Sequence, residues 1–397
     1  MGQLIGGYSK TIYAVLGAVG FVALIDTSMI SPIIAAYARY LGADVFTAGL
    51  ISGIYSLVSI PMIIFSGYLS DVFGRRRVVA LGLAGDLLVM ALYALAPNAS
   101  VLLATRIFHA VFDSLIVPSA LALIGDVFTR NLGQPLSLFW IFVALAIILG
   151  SASASGLVAT LGFQPVYVLI GVLIAGCLAT TFKGLPAWAS AGGRGRGGAR
   201  LIKKYAPRVA ISMASTLSMY LLIGGIIGTL PTILIDRFGL DERGAAAQIG
   251  VFMALSTAVS IPVMPLSARL AEKRTPLAPL LIGLAATAAS ALTIELGAGS
   301  LSFRVVASAI FGISLGTIIL SSSYLVVSLP GEVRGLGSGL NQSASLLGVA
   351  LGAPLTSLYV TTLGDAGVFI IFGAFPPLIV GAWLLSVGRS WIGALKP

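Results

Sequence analysis

Twelve apolar runs, each about as long as a helix needs to cross a bilayer, constrain this chain more than any other feature. A helix needs about 20 mostly apolar residues to span the hydrocarbon core, whereas the strands of a membrane barrel are short and alternating. Hydrophobic residues make up 58% of the chain and charged residues 9%, against about 25% charged in a typical soluble domain. We therefore predict an all-α integral membrane protein with 12 transmembrane helices. The runs are 13–36, 48–69, 78–96, 101–124, 136–161, 166–182, 209–235, 245–266, 277–296, 305–329, 339–361 and 368–387.

A polar, glycine-rich segment separates the first six runs from the last six. Such a composition is typical of a flexible linker. We predict an N-terminal six-helix bundle at 1–182, a cytoplasmic linker at 183–207 and a C-terminal six-helix bundle at 208–397. Landmarks at a single offset indicate that the two halves are an internal repeat. A shift of 198 positions pairs Arg106 with Arg304, Gly150 with Gly348, and Arg75 and Arg76 with Lys273 and Arg274.

The formal charge of +10 could suggest a nucleic-acid partner, but the positions of the basic residues favour a role in topology. They concentrate in every second loop, and the intervening loops hold little beyond Arg39, Arg237 and Arg243. By the positive-inside rule, we predict a multi-pass protein of the cell membrane with both termini in the cytoplasm. Contact with anionic membrane lipids follows as a secondary effect, and no nucleic-acid partner is expected.

A short charged segment, residues 67–77, joins the second run to the third. Gly67 and Gly74 allow close backbone approach or a positive φ, and the arginines from Arg75 onwards cannot enter lipid. We predict a tight turn between two spanning helices. The pattern Gly-x-x-x-Asp-x-x-Gly-Arg-Arg resembles the signature loop between helices 2 and 3 of the major facilitator superfamily of secondary transporters.

This resemblance implies the major facilitator fold, in which two pseudo-symmetric six-helix bundles work by alternating access around a midplane site. It also implies a cytoplasmic latch, because a second family-like stretch at 330–340 precedes the eleventh helix. In the family the loop aspartate lies near the start of that helix, and the loop arginines lie near an acid that ends helix 4. The implied latch residues are Gly67, Asp71, Gly74, Arg75, Arg76 and Asp126. At the 198-residue offset Pro265, Arg269 and Glu272 replace Gly67, Asp71 and Gly74, so we expect the latch to rest mainly on the first copy.

Ionisable residues inside the apolar runs form a second group of candidates. A charge at the bilayer centre costs at least roughly 2.5–3.5 kcal/mol on insertion scales, so each one is expected to have a partner or a function. Arg106, His109 and Asp113 share one face of the fourth helix. Asp26 lies in the first run and Asp86 in the third, and the sequence does not fix the face on which Asp86 lies.

The segment 103–110 resembles the helix 4 motif of proton-coupled facilitators, Arg-x-x-Gln-Gly, with His109 at the usual Gln and Ala110 at the usual Gly. Residues 25–27, which lead to Pro32, resemble the acidic helix 1 motif of drug/proton antiporters. The resemblance implies that Asp26 and Asp113 take up and release a proton, that Arg106 holds the deprotonated carboxylate, and that His109 acts as a relay. The alternative is a static buried ion pair that fixes helix packing.

Two transport functions remain open. We expect proton-coupled export of small hydrophobic or drug-like compounds, as in the 12-helix drug/proton antiporter branch. The alternative is a facilitator that imports or exchanges a metabolite such as a sugar. The fifth run keeps Gly150 and Gly156 but lacks the Gly-Pro of the antiporter motif, which weakens the prediction of antiport. The candidate substrate-cavity residues are Tyr55, Tyr220, Tyr324, Asn341 and Gln342.

An intramembrane serine protease is a possibility of another class, suggested by Ser153, Ser155 and His109. The first glycine of a Gly-x-Ser-Gly elbow is missing, and such an enzyme would not need six further helices, so we predict no enzymatic activity. The single cysteine, Cys177, excludes an internal disulfide and a thiolate metal cluster. We expect no cofactor and no metal. The expected partners are a small-molecule substrate, protons and membrane lipids, with the chain acting as a monomer.

Overall fold

The computed structural model describes residues 5–43, 45–128, 132–185, 203–240, 242–273 and 275–395. Every regular element within these ranges is a helix. The first eight helices are α1 (Ile5–Ile30), α2 (Ile34–Tyr40), α3 (Val45–Phe73), α4 (Arg75–Ala94), α5 (Ala99–Asp113), α6 (Ile116–Val127), α7 (Gly133–Leu161) and α8 (Phe163–Gly184). The remaining helices are α9 (Ala206–Gly228), α10 (Leu230–Asp236), α11 (Glu242–Lys273), α12 (Leu277–Gly297), α13 (Leu301–Val327), α14 (Gly331–Leu363) and α15 (Phe375–Leu395), with a π-helical turn at Ile370–Ala374.

The helices account for the apolar runs of the sequence. Within the described ranges, 11 helical segments are long and apolar enough to cross a membrane, and a shorter apolar helix lies at Ile370–Ser386. These segments follow the predicted runs in the same order. The prediction of an all-α multi-pass membrane protein is therefore confirmed. Most of the predicted linker at 183–207 lies outside the described residues.

The chain divides into two compact units. The first comprises Met1–Arg130, Leu138–Ile202 and Leu329–Leu340. The second comprises Asn131–Ser137, Lys203–Ser328 and Asn341–Pro397. The first turns of α14 therefore belong with the first unit, and the first turn of α7 belongs with the second.

Three breaks between successive helices lie close to a proline. The breaks separate α1 from α2, α5 from α6, and α9 from α10. Proline lacks a backbone N–H, and its ring clashes with the carbonyl four residues earlier, which accounts for a break at Ser114, four residues before Pro118. The breaks at Ser31 and Thr229 are 198 positions apart, the offset of the sequence repeat. Other prolines lie inside continuous helices, namely Pro61, Pro262, Pro265 and Pro354.

The charged segment 67–77 is helical on both sides of one residue. Helix α3 continues to Phe73 and α4 begins at Arg75, which leaves Gly74 alone between them with a φ of 93°. Glycine adopts such a φ without the penalty that a Cβ imposes. The predicted turn is thus a single glycine, and most of the segment belongs to the two helices.

Helix packing inside the first unit brings the helices that carry the candidate site residues close together. Helix α4 packs against α5, α6 and α8, and α3 packs against α5. Glycines allow α4 to come close, because a Cβ on Gly85 would lie 2.1 Å from the ring of Phe112 and a Cβ on Gly82 would lie 2.8 Å from Ile116. In the second unit α13 packs against α9, α11 and α12. Phe252 and Phe311 lie in the core of that unit.

Candidate functional site

Helix α5 carries three ionisable side chains on one buried face. Asn98 caps its N-terminus by accepting a hydrogen bond from the Val101 N–H at 3.0 Å. Arg106, His109 and Asp113 follow, and these residues are 2%, 0% and 9% exposed. The helix ends at Asp113, directly before the break at Ser114. The shared face that the helical spacing predicts is therefore buried inside the first unit.

His109 connects Arg106 to Asp26. Arg106 Nη1 lies 3.2 Å from His109 Nδ1, and His109 Nε2 lies 3.2 Å from Asp26 Oδ2. The Tyr93 hydroxyl lies 3.3 Å from the same Nδ1. Because a guanidinium can only donate, Nδ1 acts as an acceptor, and we assign the proton of the neutral ring to Nε2, which donates to Asp26. The imidazole thus links a fixed cation to a carboxyl group through its two ring nitrogens.

Tyr55 of α3 makes the contact to Asp113. Its hydroxyl donates to Asp113 Oδ2, and the guanidinium carbon of Arg106 lies 4.5 Å from the centre of the Tyr55 ring. Arg106 forms no ion pair with a carboxylate in the described part of the chain. His109 and Tyr55 occupy the positions beside the guanidinium in this structure. The role of Arg106 in holding a deprotonated carboxylate stays a prediction.

Asp86 of α4, whose face the sequence does not fix, lies in the same buried group. It is 1% exposed, and its Oδ1 has no hydrogen-bond partner. One carboxylate oxygen each of Asp26 and Asp86 and one ring nitrogen of His109 all lie within 4.8 Å of one another. The available sequence signal was Gly82, one helical turn before Asp86, since a glycine in a membrane helix often marks a closely packed face. We call Asp26, Asp86, Arg106, His109 and Asp113 the ionisable cluster.

The spacing of Asp26, Asp86 and His109 could in principle be bridged by a metal ion, but the hydrogen bonds of the histidine oppose this. A metal on Nε2 requires the ring proton to sit on Nδ1. That proton would point at Arg106 Nη1, which is itself a donor 3.2 Å away. The hydrogen bonds of His109 therefore oppose a metal ion on its Nε2.

A second charged cluster lies where α3 meets α4. Asp71 accepts hydrogen bonds from the N–H groups of Gly335 and Leu336, each at 2.9 Å. It also pairs with Arg75 Nη2 at 2.8 Å, and the same nitrogen donates to the Gly331 carbonyl. A carboxylate near a helix N-terminus is stabilised by the helix dipole, typically by about 0.3–1 kcal/mol. The loop aspartate therefore holds the first turns of α14.

Two glycines bring α3 and α14 into backbone contact. A Cβ on Gly67 would lie 2.2 Å from the Gly335 carbonyl oxygen, and a Cβ on Gly335 would lie 2.4 Å from the Gly67 carbonyl oxygen. No side chain fits at either position. The glycine that opens the family-like pattern is thus required by the approach of the two helices.

Asp126, at the end of α6, lies between two arginines. Arg75 Nε is 2.8 Å from Asp126 Oδ2, and Arg334 contacts Asp126 Oδ1. Arg76 lies elsewhere and donates to the Phe182 carbonyl at 2.6 Å. The structure therefore brings together most of the predicted latch residues, leaves out Arg76 and adds Arg334, which lies in the family-like stretch 330–340. We call Asp71, Arg75, Asp126 and Arg334 the Asp71 cluster.

The second copy of the loop makes a related contact in the second unit. Glu272 Oε1 accepts a hydrogen bond from the N–H of Gly133, the first residue of α7, at 2.7 Å. Glu272 lies 198 positions after Gly74, and Gly331, the first residue of α14, lies 198 positions after Gly133. The second copy of the loop thus has a carboxylate at Glu272, whereas Arg269 stands at the position that matches Asp71. The expectation that the latch rests mainly on the first copy stays a prediction.

The other predicted cavity residues belong to the second unit. Asn341 Oδ1 accepts hydrogen bonds from the hydroxyls of Ser212 at 2.7 Å and Thr216 at 2.9 Å. Its amide nitrogen therefore offers the donors of this group. Tyr324 is buried, and Tyr220 and Gln342 are half-buried. The idea that these residues and Tyr55 line one substrate cavity stays a prediction.

The hydrogen bonds oppose the protease alternative. Both ring nitrogens of His109 are engaged by Asp26, Arg106 and Tyr93. The Ser153 hydroxyl donates to the Leu149 carbonyl of its own helix at 2.7 Å, and the Ser155 side chain lies outside the described part of the structure. No histidine is therefore available to activate a serine, since His109 is the only histidine of the chain.

The sequence profile of a known family covers most of the chain. Residues 16–353 match the Major Facilitator Superfamily. The chain belongs to the Major Facilitator Superfamily. All the candidate site residues of this facilitator lie within the matched range, and membership of a family of transporters identifies it as a multi-pass membrane transporter.

This facilitator is similar to proteins that are named for drug resistance and export. It is 25% identical to the tetracenomycin C resistance and export protein of Streptomyces glaucescens over 417 residues, which cover 89% of this chain and 76% of that protein. It is 42% identical over 76 residues to the multidrug efflux pump LfrA of Mycolicibacterium smegmatis, 19% of this chain and 15% of the pump. It is 29% identical over 145 residues to the puromycin resistance protein pur8 of Streptomyces alboniger, 36% of this chain and 28% of that protein. The last two matches thus span less than a third of the length of those relatives.

Solved structures of facilitators share the fold. The human organic anion transporter MFSD10 superposes with a TM-score of 0.78 at 17% identity, covering 94% of this chain and 99% of that chain. The Escherichia coli fucose:proton symporter FucP superposes with a TM-score of 0.76 at 15% identity, covering 94% of this chain and 97% of that chain. At such identities the likeness establishes the fold and not the substrate.

Proposed function

We propose that this facilitator is a proton-coupled exporter of small hydrophobic or drug-like compounds that works by alternating access. The observation that carries the proposal is the ionisable cluster, in which three carboxyl groups, a guanidinium and an imidazole are buried on α1, α4 and α5. Ionisable side chains in hydrocarbon are costly and usually serve transport of ions or protons. The names of the relatives from Streptomyces and Mycolicibacterium support export as the direction.

The coupling step depends on the contacts of Arg106. Its guanidinium donates to His109 and lies over Tyr55. A carboxyl group keeps its proton more readily away from a cation and loses it more readily beside one. A movement that brings Arg106 against Asp26 or Asp113 would therefore release a proton, and the return movement would allow a proton to bind.

The Asp71 cluster supplies the second element of the proposal, a latch on the cytoplasmic side. Opening of that side would break the hydrogen bonds of Asp71 to Gly335 and Leu336, and closing would restore them. Both termini would lie in the cytoplasm and the basic loops would face anionic lipids. We place the transporter in the plasma membrane, acting as a monomer.

A second candidate function is transport of a hydroxylated metabolite such as a sugar. The group that favours it is Asn341 with Ser212 and Thr216, because the Asn341 amide oxygen is already satisfied by two hydroxyls. The amide N–H groups then suit a ligand that offers oxygen acceptors. Hydrophobic drug-like compounds need fewer such donors, so the two candidates differ in their dependence on Asn341.

Transport in liposomes separates these candidates. The purified protein is reconstituted, a proton gradient is imposed, and lumenal pH is followed while tetraphenylphosphonium, ethidium and then monosaccharides are added. We expect the lipophilic cations to cause proton movement. Asp26→Asn and Asp113→Asn should each reduce this movement while binding of tetraphenylphosphonium remains measurable, because an amide cannot carry the proton.

Asp236→Asn is the matched control, because it replaces an aspartate by asparagine outside the cluster. Asp236 is exposed at the end of α10. It should transport like the wild type. Monosaccharide flux that falls in Asn341→Ala would favour the second candidate. Coupled transport that stays at the wild-type level in both Asp26→Asn and Asp113→Asn would overturn the assignment of proton coupling to these residues.

A further inference from the structure

Asp86 is a buried acid of the first unit to which the proposed function assigns no role. It lies in the middle of α4, is 1% exposed, and has no hydrogen-bond donor on Oδ1 in the described chain. No motif of the sequence selects it. An ionisable residue buried in this way within a membrane segment is expected to have a partner or a function.

The packing of α4 places the side chain of Asp86 close to those of Asp26 and His109. Tyr93, two helical turns further along α4, reaches His109 Nδ1 with its hydroxyl at 3.3 Å. A carboxylate oxygen of Asp86 lies within 4.8 Å of a carboxylate oxygen of Asp26 and of a ring nitrogen of His109. The close approach of α4 at Gly82 and Gly85 makes this possible. Asp86 is therefore adjacent to the residues to which we assign coupling.

The hydrogen bonds distinguish the carboxyl groups from one another. Asp26 accepts from the Thr27 N–H and from His109 Nε2, and Asp113 accepts from the Tyr55 hydroxyl. Donors of this kind stabilise an ionised carboxylate. Asp86 has no such donor among the described residues. Two buried carboxylates this close cannot both be ionised at low cost, so such pairs share a proton.

The number of protons bound by the ionisable cluster follows from its charge balance. Asp26, Asp86 and Asp113 provide three acids, Arg106 provides one fixed positive charge, and the bonds of His109 leave its ring neutral. A neutral cluster then contains one carboxylate and two carboxylic acids. The buried titratable groups around it come from α1 (Asp26), α3 (Tyr55), α4 (Asp86, Tyr93), α5 (Arg106, His109, Asp113) and α8 (Tyr167).

We propose that Asp86 and Asp26 form a proton-holding carboxyl pair, so that the cluster carries two protons, one on this pair and one on Asp113. This inference rests on the proposed proton-coupled transport for its role in the cycle. On release, the O–H bond of the pair breaks, its electrons stay on the carboxylate, and the proton passes to water on the side that is open. Each cycle then exchanges two protons for one substrate.

Infrared titration tests the pair without any substrate. The C=O stretching band of protonated carboxyl groups is recorded near neutral pH for purified wild type, Asp86→Asn and Asp236→Asn in detergent. We expect Asp86→Asn to lose about half of the band of the buried carboxylic acids and Asp236→Asn to lose none. An unchanged band in a folded Asp86→Asn protein would overturn the proposal.

Asp86→Glu keeps the measurement decisive where Asp86→Asn fails to fold. The longer carboxyl retains the proton and shifts the frequency of its own band, which identifies the group that carries it. A band that neither shifts in Asp86→Glu nor falls in Asp86→Asn would show that Asp86 is ionised.

Transport separates this proposal from the proposed function. The ratio of protons to tetraphenylphosphonium is obtained from the membrane potential at which net flux in liposomes reverses. We expect a ratio of two in the wild type and one in Asp86→Asn. Absence of tetraphenylphosphonium transport in the wild type would count against the proposed function for this probe. The infrared titration would still show whether Asp86 and Asp26 hold a proton between them. A wild-type ratio in Asp86→Asn would overturn the role of Asp86 in coupling.

Discussion

At the scale of single residues, His109 determines how Arg106 and Asp26 are connected. The ring accepts at Nδ1 from the guanidinium and donates at Nε2 to the carboxyl group. Glutamine, which is usual at this position of the motif that residues 103–110 resemble, offers the same pair of functions through its amide oxygen and its NH₂ group. The role of His109 as a bridge can thus be separated from a role as a titrating relay.

We predict that His109→Gln keeps the fold and the proton-coupled transport of tetraphenylphosphonium, because the amide can replace both hydrogen bonds. His109→Ala should lower the free energy of unfolding by about 1.5–3 kcal/mol, since hydrogen bonds to charged groups are lost in a buried site. Thermal unfolding in detergent and transport in liposomes measure the two effects. A His109→Gln protein that folds normally but transports without protons would show that the ring itself titrates during the cycle.

Charged residues are scarce in this chain, and this scarcity made some residues of the ionisable cluster predictable from the sequence. Asp26, Arg106 and Asp113 stand out because a charge in an apolar run needs a reason. The orientation of Asp86 and the contact of Tyr55 with Asp113 could not be predicted. Both sides of a membrane helix are apolar, one facing lipid and one facing protein, so hydrophobic periodicity does not identify the buried face.

At the scale of helices, carboxylates hold the beginnings of three of them. Asp71 bonds to N–H groups in the first turns of α14, and Glu272 bonds to the first N–H of α7. Glu295 accepts from the N–H groups of Gly367 and Phe369 at 2.6 and 3.1 Å, just before the last membrane segment. The first N–H groups of a helix, such as that of Gly133, have no partner within it, whereas Gly335 and Leu336 are the fifth and sixth residues of α14 and lie near the positive end of its dipole. Several of the scarce acids of the chain are therefore used at helix starts.

Amide hydrogen exchange tests the two loop carboxylates against each other. In Asp71→Asn the amides of Gly335 and Leu336 should exchange about 5–30-fold faster, which corresponds to about 1–2 kcal/mol of lost local stability. In Glu272→Gln the amide of Gly133 should respond in the same direction because it loses a charged acceptor. Each variant serves as the control of the other, since the two contacts lie in different units. Exchange that is unchanged at Gly335 and Leu336 in Asp71→Asn would contradict the latch.

The repeat shows why the second carboxylate escaped prediction. The offset of 198 positions places Arg269 at the position of Asp71, which suggests loss of function. The structure places the acid three residues later, at Glu272, where it reaches the start of another helix. A shift of three residues is almost one helical turn, so the side chain stays on a similar face. Position-by-position comparison cannot detect such a replacement.

At the scale of the whole molecule, the basic residues serve two purposes that the sequence does not separate. Arg75 and Arg334 belong to the loops that the positive-inside rule counts, yet both side chains are largely buried and paired with Asp126. The twelve apolar runs predict the order of the membrane segments, but not the breaks at Ser114 and Thr229. Some prolines interrupt a helix and others lie inside a continuous one. The sequence does not distinguish the two cases, because the outcome depends on how the neighbouring helices pack.

Cysteine labelling tests the orientation that the charges predict. Lys203 precedes α9 and Ser300 precedes α13, and both are exposed. In a Cys177→Ala background, a membrane-impermeant maleimide should label Ser300→Cys in intact cells and should label Lys203→Cys only after permeabilisation. The physical reason is that Lys203 lies in the basic region between the halves, which the positive-inside rule retains in the cytoplasm, whereas Ser300 lies in a loop of the opposite set.

Wild-type protein is the matched control for this labelling, because Cys177 is 4% exposed and should not react in the folded state. Labelling of Lys203→Cys in intact cells, with Ser300→Cys protected, would invert the proposed topology. The Asp71 cluster would then lie on the outer side, because four membrane segments separate Gly74 from Lys203 and an even number of crossings places both on the same side. The same experiment therefore also decides whether that cluster can act as a cytoplasmic latch.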